Sequence, residues 1–459
     1  MEAVLSGVKH IYLVGIGGIG VGGLALLLKD KGFNVSGSDV HENYTIKLLR
    51  ENGIEVFIGH CSEHMSADVD LVCYSSAIKQ DNPEIQEAQR RGVTILPRGK
   101  LLGLLSWDKK AIAVSGSHGK TTTTSLIGYL MTSLGYEPTV FVGGLPLNYA
   151  RHAWWGQDYF VIETDESDGS FLYYNPWVSI ITNIDHEHLD YYRTIEDLQK
   201  SFLQFAYQTK GMVIGCGDEP TVMDIVQKAG GTLYGFGAHN KVSAANVTFD
   251  GNFTCFDLFV DHIYICPVSI PLLGTHNVLN TLAVISFFLY MGEDVAKVVN
   301  LLKGFKGTKR RFQVKKKLND VIFVDDYAHH PTEIAAVLNA ARYLRPKRLF
   351  VIFQPHRFSR VEALYKEFAR CFGAVDELIV TDIYAASEKP IAGVDAHFLL
   401  EEIKKYFRGN IQHVAKEELV DIIPPRLEPG DLVMGLGAGD INTIMDGIVN
   451  EFERSRVKA

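Results

Sequence analysis

The sequence lacks the features that would assign it to several specialised classes of protein. Its six cysteines, among 459 residues, include no C-x-x-C pair, so we expect free, mostly buried thiols and no paired-cysteine metal or redox motif. No apolar run approaches the roughly 20 residues that cross a bilayer, and no basic start or small-residue cleavage site opens the chain. We therefore expect no membrane insertion and a cytoplasmic location.

Clustered positive charge is also scarce. The formal net charge is -9, and the densest basic runs, 309–311 and 315–317, are too short to form the face that binds a phosphate backbone. Nucleic acid is therefore not expected as a partner. A small anionic substrate held by a few arginines is compatible with this charge distribution. Hydrophobic residues make up 47% and charged residues 22%, which is typical of folded domains, and the length predicts three of them at about 150 residues each.

The most informative segment that is present is a glycine-rich loop. Residues 115–124 read Ser-Gly-Ser-His-Gly-Lys-Thr-Thr-Thr-Thr, between an apolar run at 111–114 and a helix-like stretch from Ser125. The glycines allow backbone N–H groups to face an anion, Lys120 adds positive charge, and a neighbouring hydroxyl can hold Mg²⁺. The pattern G-x-x-G-K-T is shorter than the usual loop but indicates ATP or GTP binding; the alternative is a structural turn with a surface lysine.

The first third of the chain predicts a Rossmann-type unit. A β-rich run at 11–14 precedes the pattern G-x-G-x-x-G at 15–20, the next strand ends at Asp39, and another ends at Ser75-Ser76. Ligands of open parallel sheets bind beyond the carboxyl ends of the strands, so these groups are expected to share one crevice. The same backbone fits either a nicotinamide dinucleotide or the diphosphate of a UDP-sugar.

The middle third places polar groups at the ends of two more predicted strands. The strand at 159–162 continues into the acidic segment 163–168, and the strand at 178–182 continues into residues 183–190, which contain two histidines. Carboxylates and imidazoles beside a phosphate loop can hold Mg²⁺ against triphosphate oxygens. Each segment taken alone is equally consistent with a solvated loop, and His276 is equally consistent with a capping or core histidine.

The last third predicts a second open parallel sheet. Polar residues follow each of its four predicted strands, which favours a ligand cleft at one edge. The strands are 321–324, 348–353, 377–380 and 431–434, and the polar segments are 325–333, 354–360, 382–385 and 435–440.

In this order the motifs resemble the Mur ligases, ATP-dependent enzymes that form the amide bonds of the bacterial cell-wall peptide. The resemblance covers nearly the whole chain and rests on residues 15–20, 75–79, 116–122, 163–168, 326–333, 354–357 and 382–385. Two positions depart from the family pattern. Ser117 replaces a usual threonine and keeps the hydroxyl, and Glu187 replaces a usual aspartate, which makes His186 a rival of His188 as a metal ligand.

The resemblance implies an α/β protein of three domains. These are a Rossmann-like, UDP-sugar-binding domain (1–106), a central ATPase domain with a mostly parallel sheet and the phosphate loop (107–306), and a Rossmann-like, amino-acid-binding lid domain (307–459). The lid is expected to close over the central domain and exclude water from the reaction.

The resemblance also implies roles for individual residues. The catalytic group is Lys120, Glu163, His188 and Arg311. The Mg²⁺ ligands are Thr121, Glu163 and His188. The ATP-binding residues are Gly116, Ser117, His118, Gly119, Lys120, Thr121, Thr122, His276, Asn277, Asn280, Arg311 and Asp326. The UDP-sugar-binding residues are Gly17, Gly18, Ile19, Gly20, Asp39, Ser75 and Ser76. The amino-acid-binding residues are Tyr327, His356, Arg357 and Arg360.

The implied reaction is the ligation of L-alanine to UDP-N-acetylmuramate through an acyl phosphate, with release of ADP and phosphate, in peptidoglycan precursor synthesis. The nearest alternative is the recycling ligase that joins a murein tripeptide to the same sugar, but its acidic motif usually has tyrosine where this chain has Ser167. A nicotinamide-dependent oxidoreductase would leave the Lys120 loop unused. An ATP-driven transporter or motor would not explain the third segment.

Overall fold

A computed structural model describes residues 2–185, 191–386 and 388–457 of the chain. Its strands, numbered along the chain, are β1 (His10–Val14), β2 (Asn34–Asp39), β3 (Glu55–Ile58), β4 (Leu71–Tyr74), β5 (Thr94–Pro97), β6 (Lys110–Ser115), β7 (Thr139–Phe141), β8 (Ala153–Trp154), β9 (Tyr159–Glu163), β10 (Val178–Ile181), β11 (Met212–Cys216), β12 (Thr232–Gly235), β13 (Val242–Asp250), β14 (Phe253–Val260), β15 (Ile263–Ile270), β16 (Gln313–Leu318), β17 (Val321–Asp326), β18 (Arg348–Phe353), β19 (Glu377–Val380), β20 (Asn410–His413) and β21 (Asp431–Leu436).

The helices are numbered in the same way. They are α1 (Glu2–Leu5), α2 (Ile19–Asp30), α3 (Tyr44–Glu51), α4 (Pro83–Arg91), α5 (Arg98–Leu105), α6 (Lys120–Leu134), α7 (Ile195–Gln208), α8 (Pro220–Lys228), α9 (Thr275–Tyr290), α10 (Val295–Leu302), α11 (Pro331–Arg342), α12 (Phe358–Phe368), α13 (Ala396–Lys404), α14 (Leu419–Ile422) and α15 (Ile441–Val457). No helix in the described part of the chain is long and apolar enough to cross a membrane.

The first sheet has the strand order β3-β2-β1-β4-β5, and every pair in it is parallel. The central strand β1 is buried at all of its positions. The order reverses between β1 and β4, and such a reversal opens a crevice beyond the strand ends of an α/β sheet. This confirms the predicted Rossmann-like arrangement, with the glycine pattern at the end of β1 and Ser75 directly after β4.

The second sheet has the order β15-β14-β13-β12-β11-β10-β6-β9-β7-β8. The strands from β13 to β7 run parallel, and β8 at the edge is antiparallel to β7. The phosphate loop follows β6, which lies between β10 and β9. The two polar segments predicted beside the loop therefore follow the strands on either side of it.

The third sheet has the order β16-β17-β21-β18-β19-β20, with β16 antiparallel and the other neighbours parallel. The four strands predicted from the sequence, β17, β21, β18 and β19, are adjacent. Their polar carboxyl ends therefore lie along one edge, as expected. All three sheets confirm the predicted α/β class.

The chain divides into two compact units. The first comprises Met1–Ala245, Asp257–Val268 and Leu279–Lys306, and the second comprises Asn246–Phe256, Ser269–Val278 and Gly307–Ala459. Within the first unit, one buried apolar cluster contains residues of both sheets, including Leu13 and Leu71 of the first sheet and Phe160 and Ile162 of the second. The domain boundaries at residues 106 and 306 stay a prediction.

Two local expectations differ from the structure. Helix α6 begins at Lys120 and not at Ser125, because Gly119 adopts the left-handed conformation that ends the loop and the threonines form the first helical turn. The six cysteines are free, but only Cys73 and Cys216 are buried. Burial raises the pKa of each of these two thiols to about 12, so they are unreactive at neutral pH.

Gly37, in the middle of β2, provides a test of this packing. A Cβ at Gly37 would collide with the backbone oxygen of Leu13, its partner in β1, which cannot move within a fully paired sheet. We predict that Gly37→Ala lowers the midpoint of thermal unfolding by about 5 °C, because overpacking costs about 1–3 kcal/mol. Gly373→Ala is the control, since a Cβ at Gly373 would meet open space. Equal midpoints for the two variants would contradict this account.

Candidate active site

The loop between β6 and α6 has the backbone shape of an anion cradle. Gly116 and Gly119 have φ angles of +129° and +86°, which residues with a side chain rarely adopt. A Cβ at Gly116 would collide with Thr182 Oγ1, and one at Gly119 with Asn280 Oδ1. Glycine is thus required at both positions, because a side chain would be strained and would clash. The loop leads into the N-terminus of α6, whose free N–H groups can bind an anion.

Residues that follow β10 hold this loop in place. Thr182 Oγ1 donates to the backbone oxygen of His118 at 2.6 Å, and Asn183 both accepts from the His118 N–H at 2.8 Å and donates to its oxygen at 3.0 Å. The N–H of Asp185 donates to Ser117 Oγ at 2.9 Å. The segment predicted to hold a metal therefore begins by bracing the loop, a role that its sequence did not indicate.

Lys120 lies in the first turn of α6, and its side chain is largely buried. Its Nζ donates to Glu166 Oε1 at 2.6 Å, to the backbone oxygen of Ser117 at 3.2 Å and to that of Gly116. Burial by itself lowers the pKa of this ammonium, but the Glu166 carboxylate more than offsets it, so the net shift is upward. The loop therefore holds a lysine that is charged at neutral pH.

Thr121 and Glu163 form an oxygen-rich pair beside this lysine. Thr121 Oγ1 donates to Glu163 Oε1 at 2.8 Å, and Glu163 Oε2 accepts from the N–H of Gly143 at 2.6 Å. Hydroxyl and carboxylate oxygens are the ligands that Mg²⁺ prefers, so the predicted pair fits that ion. The third predicted ligand, His188, and its rival His186 lie outside the described residues.

The three residues predicted to read adenine belong to the first turns of α9. Asn280 accepts from Thr123 Oγ1 at 3.4 Å and lies against Gly119, so it contacts the phosphate loop directly. Asn277 Nδ2 donates to the backbone oxygen of Leu273 at 2.8 Å. Burial and the positive charge of Arg311 lower the pKa of His276 to about 4, so its imidazole is neutral at neutral pH.

The predicted sugar-nucleotide residues come together at the end of β1. The N–H of Gly17 donates to Asp39 Oδ2 at 2.8 Å, and a Cβ at Gly15 would lie 3.1 Å from that of Ser75. Ser76, Gly18 and Ile19 are exposed at the same edge, with Gly20 in the first turn of α2. Asp39 thus holds the glycine loop through a hydrogen bond, and its predicted role in binding the sugar nucleotide stays a prediction.

Arg98, the first residue of α5, is one member of this region that sequence reasoning missed. Its Nη2 donates to Asp165 Oδ2 at 2.9 Å, and a Cβ at Gly20 would lie only 2.9 Å from its Nη1. The Asp165 carboxylate raises the pKa of the guanidinium even though burial lowers it. Neither the strand that precedes Arg98 nor its partner Asp165 was indicated by the sequence.

In the second unit, three of the predicted residues lie close together: Asp326 is the last residue of β17, Tyr327 follows it, and Arg311 precedes β16. Asp326 accepts from the N–H groups of Phe312 and Ala328 at 2.6 and 2.7 Å, and burial raises its pKa to about 6. Arg311 lies 3.6 Å from Glu333, and its guanidinium lies 5.4 Å from the ring centre of Tyr327. The predicted residues Arg311, Asp326 and Tyr327 are thus close neighbours.

The other amino-acid-binding residues predicted from the sequence lie after β18. Arg360 Nη1 is 3.2 Å from His356 Nδ1, and the ring of His356 stacks on that of Tyr384. Burial, followed by the charges of Arg360 and Arg357, lowers the pKa of His356 to about 4. Arg357 has a φ of +68°, which is strained for a residue with a side chain.

This edge therefore presents two guanidinium groups beside a neutral imidazole. His329 extends the cluster, because its ring lies 5.8 Å from that of His356 and 5.2 Å from that of Tyr327. Such a surface suits a small carboxylate, which guanidinium groups bind with fork geometry.

Gly119 and Gly135, at the two ends of α6, allow a matched test of the loop. Both have a φ near +90°, so alanine strains both, but only at Gly119 would the new methyl collide with Asn280. We predict that Gly119→Ala weakens ATP binding at least ~10-fold and that Gly135→Ala changes it less than ~2-fold, as measured by calorimetry. Equal affinities would show that the cradle does not bind the nucleotide.

Three family profiles match the chain and together span most of it. They are the Mur ligase family catalytic domain at residues 10–110, the Mur ligase middle domain at 114–288 and the Mur ligase glutamate ligase domain at 310–439.

Full-length relatives agree with these matches. The chain is 40% identical to the UDP-N-acetylmuramate–L-alanine ligase of Carboxydothermus hydrogenoformans, over 95% of each chain. It is 42% identical to the enzyme of the same name from Syntrophus aciditrophicus, over 95% of this chain and 92% of that one. Among solved structures, the UDP-N-acetylmuramate–alanine ligase of Thermotoga maritima superimposes with a TM-score of 0.86 at 29% identity, over 98% of this chain and 100% of that one.

The profiles, the relatives and the fold agree with the phosphate loop, the glycine loop and the polar edge of the third sheet. The chain belongs to the Mur ligase family.

Proposed function

We propose that this chain joins L-alanine to UDP-N-acetylmuramate, with conversion of ATP to ADP and phosphate. The observation that carries the proposal is the charged, buried Lys120 beside the Thr121–Glu163 pair, within a chain about 40% identical to enzymes of that name over nearly its whole length. The substrates follow from those names, and the site supplies the chemistry that the reaction requires.

The first step is phosphoryl transfer to the carboxylate of the sugar nucleotide. A carboxylate oxygen attacks the γ-phosphorus, the bond from that phosphorus to the bridging oxygen breaks, and ADP leaves. Because two anions approach each other, the transition state needs positive charge, which Lys120 and the N–H groups of α6 supply. Mg²⁺, held by Thr121 and Glu163, would neutralise further phosphate charge when bound.

The second step forms the amide. The amine of alanine attacks the acyl carbon, the nitrogen loses a proton, and phosphate leaves with the bridging oxygen. We assign the carboxylate of alanine to Arg357 and Arg360, because both guanidinium groups follow β18 beside His356 and can bind a carboxylate with fork geometry, while the neutral His356 ring accepts from Arg360. The roles of Arg311 and Asp326 toward ATP, and of His188 toward the metal, stay predictions.

Phosphate release from ATP tests the proposal. The purified chain is incubated with ATP, Mg²⁺ and UDP-N-acetylmuramate, and L-alanine, a murein tripeptide or no amine is added. We expect release with L-alanine, and a product whose mass corresponds to the sugar nucleotide plus one alanine. Release with the tripeptide alone would identify the recycling reaction instead, and reduction of a nicotinamide cofactor without phosphate release would identify an oxidoreductase.

Lys120→Ala is expected to lower kcat at least ~100-fold, about 2.7 kcal/mol, which is the scale for removing one preorganised charge from a transition state. Lys200→Ala is the control in the same unit, since the Lys200 side chain is 77% exposed and pairs only loosely with Asp197. Steady-state phosphate release measures both variants. Turnover near the wild-type value in Lys120→Ala would remove this lysine from the mechanism.

Arg357→Ala and Arg360→Ala are expected to raise the KM for L-alanine by roughly 10- to 100-fold and to leave the KM for UDP-N-acetylmuramate nearly unchanged. Lysine is expected to be a poor substitute, because a point charge does not reproduce the guanidinium fork. Arg370→Ala, which removes an exposed arginine that contacts Tyr406, is the control. A loss of ATP affinity with unchanged dependence on L-alanine would move both arginines to the phosphates.

A further inference from the structure

Arg98 lies between the two nucleotide sites of the first unit. On one side, its Nη1, Cδ and Cζ atoms fill the space that a side chain at Gly20 would occupy, within 3.3 Å of the Cβ position. On the other side, its Nη2 donates to Asp165 at 2.9 Å. The last glycine of the G-x-G-x-x-G pattern therefore makes room for a guanidinium.

The contact with Gly20 places a full positive charge in the first turn of α2. The N-terminus of this 12-residue helix already favours an anion, because its N–H groups are free and its dipole is positive there. Arg98 has five N–H donors, and in the described part of the chain Asp165 is the one side chain that accepts from them. The remaining donors can bind the diphosphate of a sugar nucleotide on this loop.

The contact with Asp165 leads to the ATP site. Asp165 directly precedes Glu166, whose Oε1 accepts from Lys120 Nζ at 2.6 Å, and it follows Glu163 by two residues. The segment is fixed further by Ser167, whose Oγ donates to Asp165 at 2.6 Å, and by Tyr192, whose hydroxyl donates to the backbone oxygen of Glu166 at 2.7 Å. A continuous set of contacts thus links Arg98 to the carboxylate that pairs with Lys120.

We propose that Arg98 couples the two sites: it binds the diphosphate of the sugar nucleotide at the glycine loop and, through Asp165, it holds the acidic segment 163–168 in the position that ATP binding requires. This inference rests on the proposed function, because it takes UDP-N-acetylmuramate as the ligand of the glycine loop. Coupling of this kind is reciprocal, so each ligand increases the affinity for the other by the same factor.

Calorimetry on the full chain tests the coupling without any turnover. The dissociation constant of UDP-N-acetylmuramate is measured with and without a saturating non-hydrolysable ATP analogue, and the ratio of the two values is the coupling factor. We expect a factor of at least about 5 in the wild type. In Arg98→Ala, we expect about 10-fold weaker binding of the sugar nucleotide and a factor near 1.

Two further variants separate coupling from simple stabilisation. Asp165→Asn keeps the Arg98 charge near the glycine loop but breaks the charged link, so the affinity for the sugar nucleotide should change less than about 3-fold while the coupling factor falls to about 1. Gly20→Ala displaces the Arg98 guanidinium without removing it, so both the affinity for the sugar nucleotide and the coupling factor should fall. Arg90→Ala, which removes an exposed arginine paired with Glu87, is the control and should match the wild type.

The outcomes distinguish the inference from the proposed function. A wild-type chain that does not bind UDP-N-acetylmuramate would overturn the proposed function. A wild type that binds both ligands without coupling, or an Arg98→Ala variant that keeps the wild-type factor, would overturn the role of Arg98 alone. If Arg98→Ala does not fold, Asp165→Asn and Gly20→Ala decide the question, because unchanged coupling in both variants contradicts the inference.

Discussion

The ion pair between Lys120 and Glu166 is the interaction on which the phosphate site depends. A buried ammonium without a partner would lose its proton or destabilise the fold, so the loop can hold its charge only because a carboxylate lies 2.6 Å away. In the proposed mechanism, phosphate oxygens of ATP replace part of this pairing, so nucleotide binding would depend on the position of the acidic segment that follows β9. The contacts Thr121–Glu163 and Arg98–Asp165 involve the same segment. Three side-chain contacts of the site therefore depend on the end of β9.

The positions of strands and strand ends could be predicted well from the sequence. Apolar runs such as 11–14 and 349–353 are buried parts of strands in the structure, because a strand covered on both faces of a parallel sheet is apolar throughout. Glycines 116 and 119 were informative for a related reason, since their conformations and close contacts exclude other residues. Parallel strands of one sheet end at the same edge, so the segments that contain Tyr327, His356 and Arg360 are expected at that edge, whereas their roles rest on the family resemblance.

Contacts between side chains distant in sequence could not be predicted. Arg98 and Asp165 are 67 positions apart, and neither residue type at its position indicates the other. The start of α6 at Lys120 was missed because threonine has a low helix propensity, whereas the loop glycine and burial of the first turn decide the helix boundary. The hydrogen bonds of Thr182 and Asn183 to the phosphate loop could not be predicted either, because the charged residues that follow them indicate a metal site instead.

In the proposed reaction, ATP activates a carboxylate of the sugar nucleotide as an acyl phosphate. The fate of the carboxylate oxygens distinguishes this route from others. UDP-N-acetylmuramate labelled with ¹⁸O in that carboxylate is converted with ATP and L-alanine, and the released phosphate is examined by mass spectrometry. We expect one labelled oxygen in each phosphate, because the oxygen that attacks the γ-phosphorus leaves with it. Unlabelled phosphate, formed together with the amide, would rule out an acyl phosphate intermediate.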